Sequence, residues 1–287
     1  MLGPRRSSRP PWLFIPGGGA TGACFRVTPD GRAGWAERLA HDGNECWLTD
    51  WPGTGRSGGR DPLDVGYDTL VDGYARLLRD VIGVPAIVVC HSMGGGVAWK
   101  LAELERGLVA GVVALAPSYP GNIAPTAHLL STDGGAVVLR HPDSGVEFTI
   151  RRDRLYLYSD AYIYEQGIAT STRFPHEHLD EFRSSLIGIP PRLVLQRLGT
   201  DGGIPKVLEP AKLKGLWVRD MTGTEDPAHT REIEQKTVEL LAGWGAAAKL
   251  VYLADRAIVG NGHFFFLERN SDEILELLLH EAVELTT

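Results

Sequence analysis

The chain has 287 residues, of which 43% are hydrophobic and 23% are charged, the composition of a soluble globular protein with a large core. Its formal net charge of −7 argues against nucleic acid or an anionic membrane surface as the main partner. Three cysteines without metal-ligand spacing, Cys24, Cys46 and Cys90, predict a reduced, cytoplasmic setting.

The N-terminal part of the chain alternates between predicted strands and helices. Residues 1–10 are rich in Arg, Ser and Pro and are predicted to form a mobile tail. The apolar run at 12–15 is too short for a signal peptide or a membrane span and predicts a strand. The further elements predicted in this part are a helix at 35–40, a strand at 45–49 and an amphipathic helix at 67–82.

Residues 84–104 contain a strand, a sharp turn and a helix in direct succession. An apolar run at 85–90 predicts a buried strand, and apolar residues at helical spacing predict a helix over 94–104. Ser92 lies in the turn, where its Oγ is exposed and the N–H of Met93 points to the same side. The usual pattern G-x-S-x-G has Cys90 in place of its first glycine here. We predict that Ser92 is a nucleophile; a tight turn without catalytic role is the alternative.

A region of different character interrupts the alternation of strands and helices. The elements predicted around it are a strand at 109–116, a strand at 216–220, a helix at 227–241, a strand at 249–253 and a helix at 272–285. This alternation predicts a parallel sheet covered on both faces, and an insertion in such a sheet predicts a cap over the strand ends. We therefore expect a core formed by 11–117 and 211–287 and a cap, or lid, formed by 118–210.

A serine nucleophile needs an imidazole base that is itself oriented by a carboxylate. His263 lies between glycines after the last predicted strand, which suits a loop that lifts an imidazole over a site. Asp226, just after the strand at 216–220, is the predicted acid, although an aspartate before proline is also an ordinary helix N-cap. Glu225 is the neighbouring alternative. The order serine, acid, histidine is the one found in α/β-hydrolases.

The oxyanion that develops on a carbonyl substrate needs two hydrogen-bond donors. One is the N–H of Met93, directly after the predicted nucleophile. The other is predicted in the loop after the first strand, where consecutive glycines let the backbone approach a ligand closely. Gly18 is the first choice for this second donor, and Gly19 is the second choice.

Four segments of the chain resemble the α/β-hydrolase fold superfamily, in its serine esterase, lipase and lactonase part. They are residues 14–19, 50–57, 90–95, and 223–226 together with 262–263. The resemblance implies a mostly parallel sheet, of about six strands because the usual two leading strands are missing. It also implies cleavage of a carboxylic ester or lactone through an acyl-enzyme, without a cofactor. Pro16 departs from the family, which often has histidine before the oxyanion glycine.

Three other functions remain open at this point. The same triad serves thioester or carbon–carbon bond hydrolysis, acyl transfer and lyase reactions in other proteins. A binding protein without catalysis can also keep the hydrolase scaffold. Finally, Gly17-x-Gly19-x-x-Gly22 matches a dinucleotide-binding fingerprint, but that motif needs a helix opening directly on the glycines, and Pro29 and Gly31 interrupt here.

The predicted cap contains a candidate hairpin and a cluster of aromatic residues. Runs at 136–139 and 146–150, joined by 141–145, predict a β-hairpin. Tyr156 and Tyr162 from the cluster, together with Trp51 from the core, are predicted to contact a small to medium, largely apolar substrate; packing of these rings is the alternative. His176, His178 and Asp180 are interpreted as a solvated helix start, so no metal site is expected. Oligomeric state is left open.

Overall fold

The computed structural model describes residues 1–4, 9–142, 145–166 and 168–286. Residues 5–8 of the predicted tail and residues 143–144 of the predicted hairpin loop lie outside the described residues. Within the same tail, Leu2 exchanges two backbone hydrogen bonds with Cys46, at 2.8 and 2.9 Å. The mobility of the tail stays a prediction.

The central feature of the fold is a parallel sheet of six strands. The strands of the described chain are β1 (Trp12–Ile15), β2 (Cys46–Leu48), β3 (Ala86–His91), β4 (Val109–Leu115), β5 (His128–Asp133), β6 (Ala136–Arg140), β7 (Glu147–Arg151), β8 (Trp217–Thr222) and β9 (Ala247–Tyr252). Six of them form the large sheet in the order β2-β1-β3-β4-β8-β9. The predicted parallel sheet of about six strands is therefore confirmed.

Helices connect the strands and cover the sheet. The helices of the described chain are α1 (Trp35–His41), α2 (Tyr67–Arg76), α3 (Gly94–Leu104), α4 (Leu179–Ser185), α5 (Pro191–Arg197), α6 (Arg231–Gly243), α7 (Ser271–Glu281) and α8 (Val283–Thr286). The predicted helix at 67–82 continues beyond α2 as a π-helical segment at 77–82. The last predicted helix is divided at Ala282, and α6 begins four residues later than predicted.

Both faces of the sheet are buried, so functional groups must gather at its ends. In β1, Leu13 and Ile15 belong to one apolar cluster and Trp12 and Phe14 to the other. A strand that is buried on both faces has an almost continuous apolar sequence, as β1 and β3 do. No helix in the described ranges is both long and apolar enough to cross a membrane.

The strand order brings two loops together at the carboxyl edge of the sheet. The chain runs from β1 to β2 on one side and places β3 on the other side of β1. Ligands bind at such reversals of strand order in open α/β sheets. Ile15, at the end of β1, is in register with Cys90 of β3, so the loops that follow these two strands are neighbours.

The segment between β4 and β8 has its own antiparallel sheet, in the order β5-β6-β7. The predicted hairpin is confirmed as β6 paired with β7, whereas β5 was not predicted. All six residues of β5 are exposed, so its sequence lacks the alternation of apolar and polar residues that marks a half-buried strand. The segment contacts the core where Ile187 N–H donates to the Gly19 carbonyl at 2.8 Å. The division into core and cap stays a prediction.

Candidate active site

Ser92 occupies a strained turn between β3 and α3. Its φ angle is +49°, in the left-handed region that residues with a side chain rarely adopt. The backbone holds this conformation, because Ser92 N–H donates to the Leu115 carbonyl at 3.1 Å and the Ser92 carbonyl accepts from Gly95 and Ser118. The strained turn lifts the half-buried side chain into a cavity at the carboxyl edge of the sheet.

The residues around Ser92 are small because the turn is crowded. A Cβ atom on Gly94 would lie 2.9 Å from the Ile15 carbonyl oxygen, and one on Gly95 would lie 2.7 Å from Ser118 O. Cys90, where the usual pattern has glycine, is fully buried, and burial raises the pKa of its thiol well above the ordinary value. Cys90 is therefore an inert small side chain at this position.

His263 and Asp226 meet at the same cavity. His263 Nδ1 lies 2.6 Å from Asp226 Oδ2, although 37 positions separate the two residues in the chain. Burial would raise the pKa of Asp226, but the nearby His263 and His229 and hydrogen bonds from His263 and Ala228 N–H lower it to about 2. Asp226 is thus ionised at neutral pH and accepts the hydrogen bond that fixes the His263 tautomer.

The structure separates the two acids that the sequence left open. Helix α6 begins only at Arg231, with Thr230 at its N-cap, so Asp226 does not cap this helix. The Glu225 carboxylate accepts hydrogen bonds from the N–H and hydroxyl of Thr172, at distances between 2.6 and 2.9 Å. Asp226 therefore contacts His263, whereas its neighbour ties the loop to residue 172.

Ser92, His263 and Asp226 all line one cavity. In the described part of the chain, no hydrogen bond joins Ser92 Oγ to His263. Such bonds are often long in unliganded enzymes and tighten when substrate binds. The arrangement of the three side chains is that of a nucleophile, a base and an orienting carboxylate around a shared space.

The predicted oxyanion donors also face each other across this cavity. Gly18 and Met93 both line it, and neither N–H donates to another described backbone group. A Cβ atom on Gly18 would lie 2.5 Å from Met93 Sδ, which shows how closely the two loops approach. Gly19 is not among the described residues that line the cavity, which favours Gly18, the first choice.

His91 supports the loop that carries His263. Its ring is fully buried, 4.7 Å from the His263 ring, and its Nε2 lies 3.1 Å from the His263 carbonyl oxygen. Burial holds the pKa of His91 well below its usual range, so this imidazole is neutral and its Nε2–H donates to that carbonyl. The sequence showed only that His91 lies inside the turn.

Glu268 fastens the same loop from below. Its carboxyl group accepts hydrogen bonds from Gly262 N–H at 2.9 Å and from the Asn261 amide at 2.6 Å, and the Ser171 hydroxyl adds a third. Burial raises the pKa of Glu268 to about 7, although these hydrogen bonds act in the opposite direction. Glu268 therefore connects the His263 loop to the segment around residue 171.

A second histidine, His229, lies beside His263. The two rings are stacked at 4.9 Å, and His229 Nδ1 lies 2.7 Å from Glu234 Oε1. Burial raises the pKa of Glu234 to about 8 and that of neighbouring Asp220 well above its usual range. Sequence reasoning passed over His229; its position three residues after the predicted acid, on the same loop, is the signal that would have found it.

Ligand atoms of Asp226, His229 and His263 lie within 4.8 Å of one another, a spacing that a metal ion could bridge. The Nδ1 atoms of both histidines are already within hydrogen-bonding distance of carboxylates, at 2.6 and 2.7 Å. We interpret the group as a hydrogen-bonded cluster, because metal binding would have to replace these bonds.

The cavity has a volume of about 100 Å³ and aromatic walls. Tyr156 and Tyr162 line it as predicted, together with Tyr158. Trp51 does not reach it: this side chain is 2% exposed and packs in the core below, so its predicted substrate contact is corrected. A large ring near a turn-rich loop gave no sign in the sequence of which way it points.

Comparisons with known proteins agree with this geometry. The model of the alpha/beta hydrolase family matches residues 12–277. The probable secreted lipase phiG of a fungus (Fungal sp., strain ATCC 74256) is 27% identical over 335 aligned residues, covering 96% of this chain and 82% of the lipase. The Arabidopsis methylesterase MES16 superposes with a TM-score of 0.64 at 18% identity, over 96% of this chain and 100% of that one. Est816, an N-acyl homoserine lactone degrading enzyme, gives 0.62 at 19% identity, over 97% and 94%. This chain belongs to the alpha/beta hydrolase family.

Proposed function

We propose that the protein is a serine hydrolase that cleaves a carboxylic ester or lactone of a small to medium, largely apolar substrate through an acyl-enzyme. The observation that carries the proposal is the hydrogen bond between His263 and Asp226 beside the strained Ser92, in one cavity. Family membership supports hydrolase chemistry in general, and the two loops at the carboxyl edge of the sheet supply the remaining groups.

In the first half of the reaction, Ser92 Oγ attacks the carbonyl carbon while His263 Nε2 accepts the hydroxyl proton. The N–H groups of Gly18 and Met93 stabilise the negative charge that develops on the carbonyl oxygen. The tetrahedral intermediate then breaks its bond to the alcohol, which receives the proton from His263. The acyl group remains on Ser92.

In the second half, a water molecule replaces the alcohol. His263 accepts a proton from the water as its oxygen attacks the acyl carbon, and returns the proton to Ser92 Oγ when the acid leaves. Asp226 stays ionised throughout, because its pKa of about 2 lies far below neutral pH, and its charge stabilises the imidazolium formed in each half. These steps require no cofactor.

The named activities of similar proteins point to the same substrate class. The fungal relative is named a lipase, MES16 a methylesterase and Est816 an enzyme that degrades a lactone. We extend to this chain only what they share, which is cleavage of a carboxylic ester bond. We also propose that residues 118–210 form a cap over a core of 11–117 and 211–287.

The setting of the protein is a separate proposal. Cys24, Cys46 and Cys90 are free thiols, and two of them are buried, which favours a reduced, cytoplasmic environment. The fungal lipase, in contrast, is named as secreted. Fractionation of cells that produce the native chain tests this proposal, since recovery from the medium would contradict it.

The proposed function is tested by the intact mass of the protein after incubation with a fluorophosphonate. We expect one adduct on the wild-type protein and none on Ser92→Ala, and hydrolysis of 4-nitrophenyl acetate by the wild type alone. A Ser92→Ala variant with undiminished hydrolysis would overturn the mechanism. A wild-type protein without adduct or turnover would instead favour a binding protein on a hydrolase scaffold.

A further inference from the structure

An arginine without a partner lies in the candidate active site. Arg197, the last residue of α5, lines the cavity that contains Ser92 and His263. Val194 and Leu198 line it too, so one face of the end of this helix is turned to the cavity. Within the described ranges, the guanidinium of Arg197 forms no ion pair and no hydrogen bond.

This situation is unusual within the same helix. Arg192, five positions earlier, pairs with Asp68 at 3.1 Å and donates to the Asp64 carbonyl. Gln196, adjacent to Arg197, binds the Tyr67 N–H and the Asp201 carbonyl. A half-buried guanidinium has five N–H donors, and leaving them unpaired away from bulk water is unfavourable.

The cavity contains no free counter-charge for Arg197. Asp226 is the one carboxylate among the described lining residues, and its oxygens already accept hydrogen bonds from His263 and from Ala228 N–H. Three tyrosine rings lie in the same wall, and their hydroxyl groups make no hydrogen bond in the described chain: Tyr156, Tyr158 and Tyr162. The cavity thus offers several donors and a positive charge, which is the composition of an anion-binding site.

We propose that Arg197 binds a carboxylate of the substrate, so that the preferred ester or lactone carries a carboxylate in addition to the bond that is cleaved. The proposal rests on the proposed hydrolase function, which supplies the scissile bond. Guanidinium and carboxylate match in geometry and form two parallel hydrogen bonds. Tyrosine hydroxyls around the pair can donate further hydrogen bonds to the same group.

The charge of Arg197 already acts on groups nearby. It opposes the rise in the Tyr162 pKa that burial produces, and it adds to the lowering of the His229 pKa, of which burial is the main cause. A purely electrostatic role, in which Arg197 only tunes these neighbours, is therefore the competing explanation. The two roles differ in a measurable way, since only carboxylate binding distinguishes charged from neutral substrates.

The experiment compares pairs of esters that differ in one charge. Mono-4-nitrophenyl glutarate and 4-nitrophenyl pentanoate differ on the acyl side, and 4-acetoxybenzoate and its methyl ester differ on the alcohol side. We measure kcat/KM for the wild type, Arg197→Gln, Arg197→Lys and the matched control Arg192→Gln. The wild type should prefer the charged member of at least one pair.

For that pair, Arg197→Gln should lower kcat/KM for the charged ester about 10- to 100-fold, the usual effect of a charge-assisted hydrogen bond. The neutral ester should change less than about threefold, Arg197→Lys should retain part of the preference, and Arg192→Gln should match the wild type. Equal losses on both members, or no preference in the wild type, would overturn the proposal.

Two further readouts keep the result clear. If Arg197→Gln lowered the unfolding midpoint as well as both activities, Arg197 would have a structural role instead. Labelling of Ser92 by a fluorophosphonate separates this inference from the proposed function. A labelled, active wild type without charge preference refutes only carboxylate binding, whereas an unlabelled, inactive wild type refutes the hydrolase itself.

Discussion

Replacing Asp226 by asparagine should impair catalysis far more than any other loss of one charge in the same loop. The surroundings lower the Asp226 pKa from 3.8 to about 2, a difference worth about 2 kcal/mol since one pKa unit is about 1.4 kcal/mol. If the imidazolium of His263 loses a stabilisation of this size, kcat/KM falls about 30-fold. A wrong His263 tautomer would add to the loss, which reaches about 10⁴ in serine proteases.

The matched control is Glu225→Gln, which removes the same charge one residue away. Glu225 bonds to Thr172 and not to His263, so this variant should stay within about threefold of the wild type. We propose to measure kcat/KM with 4-nitrophenyl acetate for both variants at neutral pH. If Glu225→Gln were the worse enzyme, or if Asp226→Asn kept full activity, the assignment of the acid would be wrong.

The same variant has a consequence for stability. Because the folded-state pKa of Asp226 lies below its unfolded value of 3.8, the folded state binds fewer protons between about pH 4 and 2. The stabilisation is present above pH 4 and is lost as the pH falls through 2. Urea unfolding of Asp226→Asn across this window should show a shallower loss of stability than the wild type, and equal slopes would contradict the low pKa.

Two further predictions concern groups around the triad. Gly18→Ala places a methyl group about 2.5 Å from Met93 Sδ and should lower kcat/KM by about 10²–10³ through loss of an oxyanion donor. Gly73→Ala, which meets no atom within 4 Å, is the control, and equal activity of the two variants would refute the assignment of Gly18. Burial raises the Glu234 pKa from 4.5 to about 8, so wild-type stability should fall as the pH rises between these values. Glu234→Gln should lessen this fall in urea unfolding at pH 5 and 8, and an unchanged fall would assign it to other groups, Asp220 first.

Local sequence patterns determined the parts of the fold that depend on neighbouring residues. The bounds of β1 and α3 were predicted to the residue, because an apolar run and helical spacing reflect the local backbone. The strained turn at Ser92 was recognisable for the same reason, since its crowding by Ile15 and Ser118 admits only small side chains at 94 and 95. Strand β5, which is exposed along its whole length, left no such pattern.

The tertiary structure alone decided which side chains meet at the site. Asp226 and Glu225 are adjacent and chemically alike in sequence, yet only Asp226 faces His263, 37 positions further along the chain. Arg197 and His229 reach the cavity because α5 and the loop before α6 pack beside it. Trp51, in contrast, turns into the core. A residue's type and spacing indicate the chemistry of which it is capable, but its partners are set by contacts between segments that are distant in the chain, and these follow from packing of the whole fold.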